Sequence, residues 1–111
     1  MKNYYLLIKS IFEDFEVPVE FIRYIGKEKI YITYSFIDDR PGIVADDKEV
    51  SSIANVDIDI FSDGNYLDLE DKVEAIMIQN NFIRVGSSPD MYEEDTGLYH
   101  KTIEYEKERI R

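Results

Sequence analysis

Val56-Asp57-Ile58-Asp59-Ile60-Phe61 runs directly into Ser62-Asp63-Gly64-Asn65, and then into Leu69, Val73, Ile76 and Met77. This stretch decides the fold. Apolar residues at every second position have the period of a strand with one dry face and one wet face. The alternation reaches back to Val50. Val50, Ser52, Ala54, Val56, Ile58 and Ile60 share one face, and Glu49, Ser51, Asn55, Asp57 and Asp59 share the other. A strand patterned in this way belongs to a sheet covered on one side only. The Asp-Gly-Asn turn ends it, and Asn65 is placed to cap a helix. Asp68, Glu70 and Asp71 lie near that helix's positive end, where the dipole favours acids.

The same reading extends in both directions. Tyr4, Leu7, Ile8, Ile11, Phe12 and Phe15 recur at helical spacing, which predicts a helix over residues 2–14, closed off before Pro18. Val19 to Tyr24 is a short strand. Ile30, Ile32, Tyr34 and Phe36 alternate with Tyr31, Thr33, Ser35 and Ile37 as a second strand, which Asp38-Asp39-Arg40-Pro41-Gly42 is expected to break, because proline cannot donate to a ladder. Asn80-Asn81 ends the second helix. A strand from Phe82 extends toward Tyr92, and Glu93 to Gly97 form a hairpin turn. A last strand spans Leu98 to about Lys107, and Glu106 to Arg111 read as a charged, frayed tail. The expected fold is α+β: a mostly antiparallel sheet with two helices packed on one face, and residues 1–111 as a single domain with no linker or second domain.

Composition narrows the function. The 111 residues carry 13 Lys and Arg against 24 Asp and Glu, a net charge of −11. Such a surface has no broad basic footprint for nucleic acid and repels anionic membrane. There is no cysteine, so disulfides, thiolate metal sites and cysteine nucleophiles are excluded. The five isolated glycines form no phosphate-binding loop. The opening Met1 to Ile8 is too soon interrupted by Lys9, Glu13 and Asp14 to read as a signal peptide. Asp57 and Asp59 share a face, and paired carboxylates can hold a divalent ion. The calcium-loop pattern fails at Phe61 and Ser62, however. Glu70-Asp71-Lys72 offers the residue types of a metal nuclease, but on a helix rather than a strand. His100, the single histidine, has no nucleophile motif to serve. No catalytic residue, metal ligand or cofactor is therefore expected.

In element order and local wording, most of the chain resembles the tail terminator and tail-to-head joining proteins of long-tailed siphophages. The resemblance is carried by Val17-Pro18-Val19, by Tyr31-Ile32-Thr33-Tyr34, and by the loop with Pro41-Gly42. It continues through the "V-x-I-x-I-(F/Y)-(S/T)-D" strand at Val56 to Asp63 and through Leu69, Glu70, Val73, Glu74 and Met77. Tyr92 to Lys101, ending in "G-L-Y-H-K", and Tyr105 to Arg109 complete it. The resemblance implies a non-enzymatic virion part, found in the tail or in the host cytoplasm during assembly. It implies a ring, usually hexameric, that caps the tail tube and meets the head connector. The implied partners are its own copies, the tube protein and the connector protein, with no specific nucleic-acid binding and no membrane. Arg40, Pro41, Gly42, Ile43 and Val44 are then the expected docking loop, ordering on contact. Asp57 and Asp59 are the expected acidic face, repelling DNA from the bore. The alternatives are a small intracellular protein-binding adaptor of α+β fold, and a metal-dependent hydrolase built on Asp57 and Asp59.

Overall fold

Strand β5 (Ser51–Ser62) is the centre of the molecule, as its alternation requires. The computed structural model describes residues 2–42, 44–45, 48–49 and 51–110. Within them, β5 pairs antiparallel with β2 (Ile30–Pro41) on one side and with β8 (Leu98–Ile110) on the other. Outside β2 lies the short parallel strand β1 (Val19–Phe21). Outside β8 lie β6 (Ile83–Ser87) and β7 (Met91–Glu93), both antiparallel to it. These six strands form one sheet, and β3 (Val44–Ala45) pairs with β4 (Lys48–Glu49) in a separate small ladder. Helices α1 (Lys2–Ile11) and α2 (Leu67–Gln79) complete the α+β fold.

Both helices cover the same face. Ile8 and Phe12 of α1 and Leu69, Val73 and Met77 of α2 are buried in one core with Ile32, Tyr34, Val56, Ile58, Ile60, Ile103 and Tyr105. The register explains why: Ile32 lies opposite Ile60, Tyr34 and Ile103 lie opposite Ile58, and Tyr105 lies opposite Val56. The period-2 residues of three strands therefore make one continuous apolar floor.

Several boundaries differ from expectation, each for a local reason. Helix α1 stops at Ile11, not residue 14. Glu13 and Phe15 close tight turns onto the Ser10 and Phe12 carbonyls. Two acids, Glu13 and Asp14, would otherwise sit at the negative end of the helix. Asn65 does not form the helix boundary. Its side-chain oxygen accepts from Leu67 N–H at 2.8 Å, and the N-cap position falls to Tyr66.

Strand β2 is not broken at Asp38; it runs to Pro41. A bulge between Phe36 and Asp38 resets the register, after which Arg40 lies opposite Ile53 and Pro41 opposite Ser52. Proline is tolerated there because β1 covers only residues 32–34, leaving the far side of the strand without a partner among the described strands. Gly42 then closes against Ser51 through a 3.0 Å backbone bond, and a Cβ at Gly42 would collide with the Ser51 hydroxyl and the Glu108 carboxylate. The strand from Phe82 is interrupted at residues 88–90 before β7 begins.

Strand β8 does not fray at Glu106. It continues to Ile110, opposite Ser51. Glu104, Glu106 and Glu108 alternate with Tyr105 and Lys107, so the acids that suggest a tail are the wet side of a strand. Lys107 on the dry side reaches the C-terminal end of α2, where Nζ donates to Asn80 O at 2.9 Å. At Gly97, φ is +71°, as the β7–β8 turn requires.

Among the described residues, the buried hydroxyls of Tyr4 and Tyr105 are left without a hydrogen bond. The Tyr105 hydroxyl is enclosed and has no hydrogen-bond partner, and burial raises its pKa well above the usual phenol value. An orphaned buried hydroxyl costs about 1–3 kcal/mol. Tyr105→Phe keeps the ring and removes that group, so the variant is expected to be as stable as the parent or more so in urea unfolding. A loss above about 1 kcal/mol would show that the hydroxyl has a partner.

Candidate functional site

The face of the sheet opposite the helices bears two lanes of side chains. The first is aromatic. Tyr31, Phe61 and His100 occupy one register row across β2, β5 and β8. Tyr24, from the 22–29 loop, stacks on Tyr31 at 4.5 Å, Tyr31 on Phe61 at 4.7 Å, and Phe61 on His100 at 4.1 Å. The spacing follows from the 4.7–4.9 Å separation of neighbouring strands, which sets rings in one row at stacking distance.

The second lane is acidic. Asp59 lies between Thr33 and Thr102 in register, and Asp57 between Ser35 and Glu104. His100 Nε2 is 2.9 Å from Asp59 Oδ1, and the Thr102 hydroxyl donates to the same oxygen. On its other side, His100 Nδ1 is 3.5 Å from Glu93. Asn55, buried, donates to Glu104 at 2.7 Å, and Arg40 pairs with Glu106 at 3.1 Å.

The expected site residues separate. Asp57 and Asp59 do share the open face, yet only Asp59 is tied to His100. Asp57 has its pKa raised by partial burial, then by the Asp59 and Glu104 charges. Arg40, Pro41 and Gly42 belong to the end of β2 and the residue after it, not to a projecting loop; Arg40 is directed at Asn55 and Glu106. Val44 lies in β3. Ile43, placed in the docking loop, and Val50, placed in the central strand, lie outside the described residues. The nuclease-like triplet disperses: Glu70 faces Lys101, and Lys72 pairs with Glu16 at 2.7 Å. No group of three or more His, Asp or Glu side chains among the described residues has metal-binding geometry. Among those residues there is also no helix long and apolar enough to cross a membrane.

The aromatic row was not anticipated. Its signal is present in the sequence only as three rings in three separate strands, and register alone aligns them. Sheet edges are where a subunit contact is expected, and the structure identifies them as β1 and β6. Neither β1 nor β6 has an outer partner among the described strands. Each edge region carries exposed apolar side chains: Phe21, Ile22 and Ile25 on one side, Ile83, Val85 and Tyr92 on the other. Unpaired edges with apolar side chains are templates for association.

Compared with known proteins, the chain matches no family model and no curated protein.

The raised pKa of Asp57 has a sign that can be checked. A carboxyl that holds its proton more tightly when folded loses stability as pH rises from its ordinary value, 3.8, through the raised one. Asp57→Asn is therefore expected to raise the unfolding midpoint at pH 7. The gain should vanish below pH 3.8, where both states of the parent are protonated. A gain of equal size at both pH values would assign the effect to packing rather than charge.

Proposed function

We propose that this protein is a non-enzymatic structural subunit that assembles with copies of itself into a ring, capping a siphophage tail tube and joining it to the head connector. The observation that carries the reading is the pair of open, apolar-bearing edges on opposite sides of one sheet. Two different edges on one chain make a heterologous contact, and such a contact gives a ring when its rotation closes. The resemblance in element order to tail terminator proteins supplies the particular assembly. The partners in this reading are the tube protein and the connector protein.

In the ring, the helix-free face turns to the bore, and Asp57, Asp59, Glu104 and Glu106 line it. A carboxylate-lined wall gives passing DNA no counter-charge to adhere to. The net charge of −11 also keeps free subunits apart until a tube end supplies a template.

Sedimentation over a wide concentration range, together with electron microscopy of tail tubes incubated with the protein, tests the reading. The expected result is a closed ring at high concentration or on tube ends. A persistent monomer that leaves tube ends bare and binds one cellular protein would replace the ring with the adaptor alternative.

A further inference from the structure

We infer that successive copies meet through a charge-complementary contact between the 22–29 edge of one subunit and the 90–95 edge of the next. The inference rests on the ring reading and specifies its subunit contact. Four observations converge on it.

The first is charge. Residues 22–29 hold three basic side chains, Arg23, Lys27 and Lys29, against one acid, Glu28. Residues 90–95 hold four acids, Asp90, Glu93, Glu94 and Asp95, and no base. In so acidic a chain, the locally basic segment stands out, and the opposite edge carries its complement. Opposite potentials across an interface set register and exclude wrong pairings.

The second is apolar exposure. Ile22 and Ile25 are 63% and 79% exposed, among the most exposed large apolar residues of the chain. Across the sheet, Tyr92 is 50% exposed and packs its ring 5.0 Å from that of Tyr99. Aromatic side chains are enriched at the centre of a contact, and exposed apolar ones beside them add dry area.

The third is level. Tyr24 stacks on Tyr31, in the row that continues through Phe61 to His100, and His100 lies opposite Met91 of β7. The basic loop and the acidic hairpin are thus the two ends of one line across the sheet. The stacked rings hold them at a set separation, so a sideways step brings one subunit's loop against its neighbour's hairpin.

The fourth is strain. Ile22 has φ of +65°, a left-handed conformation that a β-branched side chain adopts only at a cost. Ile22 N–H donates to Tyr34 O at 2.8 Å, and Arg23 N–H donates to Phe21 O at 2.7 Å. This tight turn ends β1 after three residues and leads into the basic loop. Backbone strain of this kind persists where surrounding structure enforces it, so the turn that precedes the basic loop is held in place.

The absence of native cysteine makes a clean test possible. Under mild oxidation, an Ile25→Cys, Tyr92→Cys double variant is expected to give a ladder of disulfide-linked oligomers ending in a closed species. Mixing the two single variants is expected to give linked dimers and nothing larger. A Glu13→Cys, Tyr92→Cys control, with one thiol on the helix side, should give no ladder. In parallel, Glu94→Lys with Asp95→Lys should weaken self-association at least about tenfold. Adding Lys27→Glu and Lys29→Glu to that same chain should restore it. Parent protein that forms rings while the 25–92 pair links no faster than the control would overturn this contact and leave the ring intact. Parent protein that never self-associates, in solution or on tube ends, would overturn the ring and this contact together.

Discussion

Replacing Ile58 with alanine is expected to remove about 3–4 kcal/mol of folding stability. Ile58 is fully buried at the middle of β5, with Tyr34 and Ile103 opposite it on the two flanking strands. Truncation removes three carbons from the water-excluded floor under both helices. The cavity cannot close readily, because β2, β5 and β8 are bonded to one another along nearly their whole lengths and hold their spacing. A domain of this size has only about 5–15 kcal/mol in total. The midpoint of urea unfolding should therefore fall by more than about 1 M. Asp59→Ala, one residue away on the open face, should cost much less. If the two substitutions prove equally damaging, the assignment of dry and wet faces is wrong.

Breaking the Glu70–Lys101 pair is expected to have an effect of similar size through different physics. Glu70 projects from the first turn of α2 and Lys101 from the helix-side face of β8; their side chains are 13% and 14% exposed, and Nζ lies 3.2 Å from Oε1. That oxygen has no well-directed hydrogen bond, so the contact is one of charge rather than aligned donor and acceptor. Asp90, largely exposed, stands 3.5 Å from the same ammonium and accepts from the Tyr66 hydroxyl. Lys101→Met leaves a carboxylate enclosed without its counter-charge, which costs about 3–5 kcal/mol. Changing both partners, Glu70→Leu with Lys101→Met, should recover most of that loss, since well-packed apolar residues replace enclosed ion pairs at little net cost. Thermal unfolding of the two single variants and the double variant completes the cycle. An additive double variant would mean the two groups do not interact.

How much of this was legible beforehand depends on the distance over which each feature is set. The alternation of Val56, Ile58 and Ile60, and the stripe of Leu69, Val73 and Met77, follow from backbone geometry within a few residues. Both are read correctly from the chain alone. The ends of elements are less so. Pro41 and the acids near Glu106 look like breaks in isolation. Each is accommodated by a long-range circumstance: an uncovered flank of β2 in one case, and pairing with the whole of β5 in the other.

Asp57 and Asp59, the expected acidic face, lie on one side of β5 but have different neighbours. Asp59 meets His100 and Thr102, whereas Asp57 meets carboxylates. That distinction rests on which residue of β8 lies opposite which residue of β5, some forty positions away. The expected docking residues Arg40, Pro41 and Gly42 were placed by their proline and glycine, the strongest local signals for a turn. The pairing of β2 with β5 overrode those signals, because ladder bonds formed along a neighbour outweigh one residue's missing donor.

Side-chain order along the chain thus determined the layers: which residues face oil, which face water, and that two helices share one side of a sheet. These are consequences of periodicity, and periodicity is local. Only the tertiary structure decided that Tyr24, Tyr31, Phe61 and His100 form one stack, that Glu70 finds Lys101, and that a basic loop and an acidic hairpin occupy opposite ends of the same row. Each of those depends on strand order and register, which are set by the packing of residues far apart in sequence.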